Sequence, residues 1–117
     1  HWIGGAGDDM VPGYYSIGIR AYTSSISAIA PKLAVRLHEA GVARDTATLN
    51  SLVNEHVVPL YSIRLRRKGY EVSAMKAMMN LTGLAGGKVR PPLVAVTDGE
   101  KDELQVILDG WKTAGFC

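Results

Sequence analysis

Two short segments near the start of the chain have the composition of β-strands, and they constrain the possible folds more than any other feature. They lie at residues 2–5 and 19–23, where bulky and often β-branched side chains stand beside glycines. Helical patterns follow them, a short one at 10–17 and a longer one from Pro31. Two strand-then-helix units indicate an α/β architecture with a parallel sheet. Two parallel strands cannot complete such a sheet, because it needs covered faces and neighbours at its edges.

The chain from Pro31 onward has helical periodicity. Pro31 suits the first turn of a helix that we expect to end at Gly41 as its C-cap. Asp45 is the expected N-cap of the next helix, whose apolar residues keep three- and four-residue spacing to about residue 66. Pro59 lies inside that helix and predicts a kink or a split.

Two further helices complete the predicted order of elements. The first covers about residues 72–82 and ends at Gly83. The second begins with a capping box, in which Thr97 is the N-cap and Glu100 follows three residues later. Its predicted apolar face consists of Leu104, Ile107, Leu108 and Trp111.

The composition fits one globular domain and argues against several classes of protein. The chain has 117 residues, of which 47% are hydrophobic and 21% charged, so we exclude a disordered chain. Its net charge of +2 lacks the basic excess typical of a nucleic-acid-binding protein. Cys117 is the single cysteine, and no apolar stretch or signal peptide predicts a membrane association, so we expect a cytoplasmic protein. Because the sequence begins at His1 without a methionine, we also expect a segment of a longer protein.

Three stretches of the chain together resemble one enzyme family. The run GIRAYTSS at 18–25, continued by Ala30-Pro31, resembles the eighth strand and following loop of the dihydrodipicolinate synthase and N-acetylneuraminate lyase family. The runs PLYSIR at 59–64 and GYEVSAMKA at 69–77 resemble the C-terminal helices of its 5-dehydro-4-deoxyglucarate dehydratase branch. The run GKVRPPL at 87–93 is similar to the loop before the final helix of that branch.

Two neighbouring glycine motifs point to different branches of the family. Gly4-Gly5 suits the dehydratases. The loop Gly7-Asp8-Asp9 is more similar to dihydrodipicolinate synthase, in which a Gly-Asp-Asp follows the seventh strand. Both branches therefore stay open at this point.

The resemblance implies a (β/α)8 TIM barrel, a fold that needs about 250 residues. Residues 1–43 would be the last two β/α units, with strands 7 and 8, and residues 44–117 a C-terminal helical extension. In this family a lysine on the sixth strand forms a Schiff base, a tyrosine on the fifth relays protons, and threonines after the second hold the carboxylate. All of these would precede residue 1, so we assign no catalytic residue to this chain. Alone, it should be mostly helical, poorly protected over its first 30 or so residues, and self-associating, because its strand edges are open.

The resemblance also implies an activity for the intact protein. It would be a Schiff-base lyase, most simply a hydro-lyase that converts 5-dehydro-4-deoxy-D-glucarate to 2,5-dioxopentanoate, carbon dioxide and water. No metal or organic cofactor is implied, and a homo-oligomer, a tetramer in the family, is expected. The alternatives are a pyruvate aldolase similar to dihydrodipicolinate synthase and, from a different class, a non-enzymatic helical interaction module.

Four residues are the candidate contacts of the 2-keto acid substrate. Gly7 follows the seventh strand, where the resemblance implies that a Cβ would intrude on the keto acid. Thr23, Ser24 and Ser25 follow the eighth strand, and their hydroxyl and backbone N–H groups are suitable donors to a carboxylate. All four would lie at the carboxyl ends of barrel strands, where such enzymes place their active sites.

Other reactive side chains have simpler interpretations. We expect Asp8 and Asp9 to cap a helix rather than to act as an acid–base or metal-binding pair. Lys76 falls in the helical extension and is interpreted as structural. The basic residues Arg64, Arg66 and Arg67 are expected at a solvated helix end.

No metal site or nucleophilic cysteine is predicted. His38 and His56 are too far apart in sequence for a metal-binding motif on one helix. Met75, Met78 and Met79 are expected to pack a helix, and Cys117 has no neighbour that would activate its thiol.

Overall fold

Six α-helices follow one another along the chain in the computed structural model, which describes residues 1–117. They are α1 (Val11–Ser16), α2 (Pro31–Val42), α3 (Thr46–Leu52), α4 (Val58–Arg64), α5 (Tyr70–Leu81) and α6 (Asp98–Thr113). The 3-10 turns Asp8–Met10 and Ile26–Ala28 precede α1 and α2. A π-helical turn, Val53–Val57, joins α3 to α4. No helix combines the length and the hydropathy needed to cross a membrane.

The two predicted strands are reduced to a single bridged pair of residues. Gly4 and Tyr22 form a parallel bridge, in which the Gly4 N–H donates to the Ala21 carbonyl and the Thr23 N–H to the Gly4 carbonyl, both at 2.9 Å. The predicted regular strands at 2–5 and 19–23 are therefore wrong, although the two segments do pair in parallel. The physical reason is that neither segment has a neighbour on its other edge, so no ladder extends beyond the bridge.

Capping groups fix the starts of three helices as predicted. Pro31 occupies the first turn of α2. The Asp45 side chain accepts a hydrogen bond from the Thr48 N–H at 3.1 Å and caps α3. The capping box of α6 is complete, because Thr97 Oγ1 accepts from the Glu100 N–H and the Glu100 carboxylate accepts from the Thr97 N–H.

Gly41 does not end α2, and the predicted C-cap there is wrong. The helix continues to Val42, and Gly41 packs inside it against the ring of Tyr15. A Cβ at this position would lie 2.7 Å from the Tyr15 ring, so close packing rather than a left-handed turn requires the glycine. The left-handed residue after α2 is instead Arg44, with φ of 56°.

The predicted interruption near Pro59 is confirmed. Proline has no N–H to donate to the preceding turn, and the helix widens into the π turn Val53–Val57 immediately before α4. Pro59 then lies in the first turn of α4. The next helix, α5, starts at Tyr70, two residues before the predicted residue 72, because Gly69 takes a positive φ of 96° as its N-cap.

The hydrophobic core lies between the apolar faces of the helices. The predicted face of α6 is buried at Leu104, Leu108 and Trp111, with Ile107 packed at its margin. Trp111 is 1% exposed, and its indole N–H donates to the His56 carbonyl at 3.0 Å, which fastens α6 over the π turn. This packing holds α4 beside the loops at 4–8 and 23–25, where the candidate site lies.

Candidate functional site

A buried carboxylate, Asp8, is at the centre of the candidate site. It is 0% exposed, and one of its oxygens, Oδ1, accepts a hydrogen bond from the Ser24 hydroxyl. The other oxygen, Oδ2, accepts from the Ser25 N–H at 3.2 Å, the Ser25 hydroxyl at 3.2 Å and the Tyr61 hydroxyl at 3.3 Å. Four donors from two parts of the chain thus satisfy one buried group, as a carboxylate requires in the interior.

The predicted capping role of Asp8 and Asp9 is therefore wrong. The 3-10 turn that they begin has no side-chain capping bond. The Asp8 side chain instead accepts hydrogen bonds from the Ser24 hydroxyl and from the N–H and hydroxyl of Ser25.

Two tyrosine hydroxyls hold the backbone of the loop before Asp8. The Tyr14 hydroxyl accepts from the Ala6 N–H at 2.7 Å and from the Gly7 N–H at 2.9 Å. The Tyr61 hydroxyl accepts from the Asp8 N–H at 2.7 Å. Three successive amides thus point at phenols, so they are not available to bind an anionic ligand.

Burial and the Asp8 carboxylate keep nearby phenols protonated. Burial is the larger cause and the Asp8 charge the second, and together they raise the pKa of Tyr61 above its ordinary value. The same two causes raise the pKa of Tyr22, whose hydroxyl donates to the Ala34 carbonyl at 2.8 Å. At neutral pH both residues therefore act as neutral hydroxyls.

Gly7 is required by the packing of Tyr61. Its φ of 154° disfavours any L side chain, and a Cβ there would lie 2.8 Å from the Tyr61 hydroxyl oxygen and 2.5 Å from Asp9 Oδ1. The predicted reason for this glycine was clearance for a keto acid. The structure supplies a different and sufficient reason inside the protein.

The Ser24 and Ser25 hydroxyls already donate hydrogen bonds within the protein. Both protons are donated to Asp8, and both oxygens also accept bonds, Ser24 from the Ser27 N–H at 3.0 Å and Ser25 from Arg64 at 2.9 Å. A substrate carboxylate would have to compete with Asp8 for these protons.

Thr23 has the freest hydroxyl of the predicted residues. Its side chain is exposed, and Oγ1 has a single long contact of 3.5 Å to the Gly4 carbonyl. Its backbone N–H donates to that same carbonyl, so the residue lies where the bridged segments end. Thr23 is thus beside the site and able to donate to a ligand.

Arg64 is the last residue of α4, at a helix end as predicted, but its guanidinium is half-buried rather than free in solvent. Its guanidinium lies over the Tyr61 ring, 4.3 Å from the ring centre, and donates to the Ser25 hydroxyl. Its Nε is buried without a hydrogen-bond partner. Since Tyr61 and Arg64 are three residues apart on α4, they share one face of that helix and approach the loop together.

Three other basic residues considered as candidates, Arg66, Lys76 and His38, have partners elsewhere in the protein. Arg66 forms a bidentate pair with Glu103 of α6, with both N–O distances at 2.7 Å. Lys76 Nζ donates to the Gly86 carbonyl at 2.7 Å, in keeping with a structural role. His38 Nδ1 lies 2.5 Å from the Tyr15 hydroxyl, and no cluster of three or more potential metal ligands occurs in the structure.

Sequence reasoning missed three members of this site, namely Asp8, Tyr61 and Arg64. A carboxylate after a glycine looks like a turn or a cap, and only its complete burial distinguishes it. The spacing of Tyr61 and Arg64 on one face of a helix was a usable signal. Its target, 53 residues away from Tyr61, was not visible in the sequence.

Comparisons with known proteins agree with the resemblance noted above. The sequence model of the Dihydrodipicolinate synthetase family matches residues 1–110. The probable 5-dehydro-4-deoxyglucarate dehydratase of Allorhizobium ampelinum is 38% identical over 99 residues, covering 85% of this chain and 33% of that protein. The protein of the same name from Rhizobium meliloti is 36% identical over 97 residues, covering 83% and 32%. The chain thus spans about a third of the length of the curated relatives it matches.

Solved structures share the fold over nearly all of the chain. Dihydrodipicolinate synthase from Bacillus clausii superposes with a TM-score of 0.84 at 24% identity, covering 95% of this chain and 38% of that one. The enzyme from Oceanobacillus iheyensis gives a TM-score of 0.84 at 26% identity, covering 95% and 37%. Proteus mirabilis N-acetylneuraminate lyase superposes with a TM-score of 0.73 at 23% identity, covering 95% and 36%. Because the family model spans residues 1–110 and the fold agrees, the chain belongs to the dihydrodipicolinate synthetase family.

Proposed function

We propose that this chain is the C-terminal part of a (β/α)8-barrel lyase, and that the whole protein is a 5-dehydro-4-deoxyglucarate dehydratase. Residues 1–43 would supply the last two β/α units and residues 44–117 the helical extension. The observation that carries the proposal is the 36–38% identity to relatives named as probable dehydratases of this kind. Identity to the dihydrodipicolinate synthase structures is lower, at 24–26%.

The proposed reaction uses a Schiff base as an electron sink. The substrate's keto group would condense with a lysine that the resemblance places before residue 1. The resulting iminium withdraws electrons from the adjacent carbon, which eases the loss of water and then of carbon dioxide. Hydrolysis of the imine releases 2,5-dioxopentanoate. No metal or organic cofactor enters this scheme.

This chain would form part of the substrate side of the pocket. Gly7, Thr23, Ser24 and Ser25 are the proposed residues, with the Thr23 hydroxyl as the direct donor to the keto acid. The role of Thr23 is supported by the exposure of its side chain and by the single weak contact of its hydroxyl, to the Gly4 carbonyl. Ser24 and Ser25 would contribute through the placement of their backbone, since their hydroxyl protons are given to Asp8.

Turnover by the protein that carries this chain, expressed at its natural length, tests the proposal. Incubation with 5-dehydro-4-deoxyglucarate should release carbon dioxide and 2,5-dioxopentanoate, and borohydride should trap a covalent adduct. Release of neither product would contradict the proposed function.

A pyruvate aldolase similar to dihydrodipicolinate synthase is the second candidate, and the loop Gly7-Asp8-Asp9 favours it. Turnover of pyruvate with aspartate semialdehyde, without decarboxylation of the dehydroglucarate, would select this candidate. If no 2-keto acid is turned over or trapped, a non-enzymatic helical module becomes the better description.

The 117-residue chain alone should show no turnover and no borohydride adduct. Lys76 is the one lysine considered as a candidate nucleophile, and its Nζ donates a hydrogen bond to the Gly86 carbonyl. A stable adduct mapped to Lys76 would contradict both this expectation and its structural role.

A further inference from the structure

The Asp8 carboxylate connects three parts of the chain at one point. Its own loop follows the first bridged segment, Ser24 and Ser25 follow the second, and Tyr61 belongs to α4. This one group therefore contributes to the spacing of the two loops and to their position beside the helix, together with the Gly4–Tyr22 bridge and the Arg64–Ser25 hydrogen bond. No partner on Asp8 is a lysine or arginine, so hydroxyl and amide donors alone hold its charge.

Two side chains of α4 support this carboxylate, one by direct hydrogen bonds and one through Ser25. Tyr61 both donates to Asp8 Oδ2 and accepts from the Asp8 N–H, so it fixes the side chain and the backbone of one residue. Arg64 stacks on the Tyr61 ring and donates to the Ser25 hydroxyl. The Ser25 oxygen is thus held between a cation and a carboxylate.

The hydrogen bonds to Asp8 leave the Thr23 side chain free in the loop at 23–25. The protons of Ser24 and Ser25 are consumed by Asp8, whereas the Thr23 hydroxyl is exposed and nearly unpartnered. Ser24 and Ser25 are therefore held in place by hydrogen bonds, whereas the Thr23 side chain is exposed to solvent. Catalytic geometry is held in this way when supporting residues lock the backbone behind a ligand-binding side chain.

We propose that Asp8 is a positioning residue, which holds residues 23–25 in the conformation that binds the 2-keto acid, with Tyr61 and Arg64 as its supports. The proposal rests on the proposed function for the identity of the ligand. It assigns Asp8 no contact with the substrate and no proton transfer. Its action is on the loop, through Ser24 and Ser25.

The main variant is Asp8→Asn in the protein at its natural length, and the matched control is Asp102→Asn. Asp102 is an exposed residue of α6, far from the loop in sequence, and its side chain makes no hydrogen bond. Asp8→Asn keeps the shape of the side chain but replaces one acceptor oxygen by an NH2 group. KM for the keto acid should rise about tenfold or more, the loss typical of a charge-assisted hydrogen bond, while kcat changes less than about threefold.

Hydrogen exchange supplies a readout that does not depend on turnover. The Ser25 N–H donates to Asp8 Oδ2, so it should exchange faster in Asp8→Asn and at the native rate in Asp102→Asn. If the natural protein binds no 2-keto acid, the proposed function fails. Faster exchange of the Ser25 N–H in Asp8→Asn would then still support the conclusion that Asp8 holds the loop at 23–25. Unchanged exchange would overturn that conclusion.

Three kinetic results would overturn the proposal while the proposed function stands. An unchanged KM in a folded Asp8→Asn protein, even with a lowered Tm, would reduce Asp8 to a purely structural residue. A loss of kcat at constant KM would make Asp8 a participant in the reaction. An equal rise of KM in Asp102→Asn would show a general effect of charge.

A second variant decides the question if Asp8→Asn does not fold. Ser25→Ala removes the hydroxyl that joins Arg64 to Asp8 and leaves the carboxylate with Ser24, Tyr61 and the Ser25 N–H. It should fold and still raise KM several-fold with little change in kcat. An unchanged KM in this variant would overturn the proposal.

Discussion

Gly7 shows how a single hydrogen atom in place of a side chain permits a contact between distant parts of the chain. The Tyr61 hydroxyl occupies the space that a Cβ would need, and the backbone φ of 154° is itself unfavourable for other residues. Gly7→Ala should therefore lower the free energy of unfolding by about 1–3 kcal/mol. Urea unfolding measures this loss.

Gly110→Ala is the control for the Gly7 prediction. Gly110 lies inside α6 with nothing near its missing Cβ. Alanine there should stabilise the protein by roughly 0.5–1 kcal/mol, because glycine is a poor helix former. A Gly7→Ala protein as stable as the native one would contradict the close approach of Tyr61.

Thr23→Val tests whether the free hydroxyl binds substrate. The change keeps the β-branched shape and removes one donor from an exposed side chain. In the protein at its natural length, kcat/KM should fall by a factor corresponding to about 1.5–3 kcal/mol, the contribution of a hydrogen bond to a charged group. Thr113→Val, at the exposed end of α6, should leave kcat/KM unchanged. An unchanged value for Thr23→Val would remove this residue from the site.

Helices were predictable from the sequence because their signals are local. The Asp45 cap, the Thr97–Glu100 box and the interruption at Pro59 each depend on residues within a turn or two of one another. The strands at 2–5 and 19–23 were mispredicted because a strand depends on neighbours that its own residues do not specify. The Asp8 site was missed for the same reason, since its donors lie 16 to 53 residues away.

The start of α6 should make stability depend on acidic pH. Hydrogen bonds from the Thr97 N–H and the Tyr70 hydroxyl, with the Arg66 charge, lower the pKa of Glu100 in the folded state. The stabilisation is therefore fully present above the ordinary glutamate pKa of about 4.3, and it is lost as the pH falls through the lower folded-state value.

Tm measured against pH for the Glu100→Gln variant tests this effect. The variant should be less stable than the native protein at neutral pH, and its Tm should fall less on acidification. Some acid sensitivity will remain, because Arg66 also lowers the pKa of Glu103. Asp102→Asn on the same helix should follow the native curve. An acid dependence of Glu100→Gln equal to that of the native protein would contradict the role of the capping box.

At the scale of the whole molecule, three strongly exposed apolar side chains lie together beside the bridged segments. Trp2 is 85% exposed, Ile3 62% and Ile17 76%, and the paired backbone beside them has an open edge. We therefore expect the 117-residue chain to self-associate through this region. Light scattering at several concentrations should show growth in apparent mass, which Ile17→Lys should reduce.

Val106→Lys is the matched control for association, because Val106 is 72% exposed on the outer side of α6. It should leave the apparent mass unchanged. A monodisperse monomer with slowly exchanging amides at residues 2–5 and 19–23 would show that the chain needs no partner at this edge.

The contact between Asp8 and Tyr61 also has a consequence for the order of folding. Each helix closes its own hydrogen bonds between near neighbours, whereas this contact joins residues 53 positions apart. Closing so long a loop is entropically costly and comes after local structure has formed. The loops at 4–8 and 23–25 should therefore acquire their native conformation late, once α4 has docked. A chain that stops short of residue 61 should lose the order of its loops at 4–8 and 23–25, because Tyr61 then cannot hold Asp8.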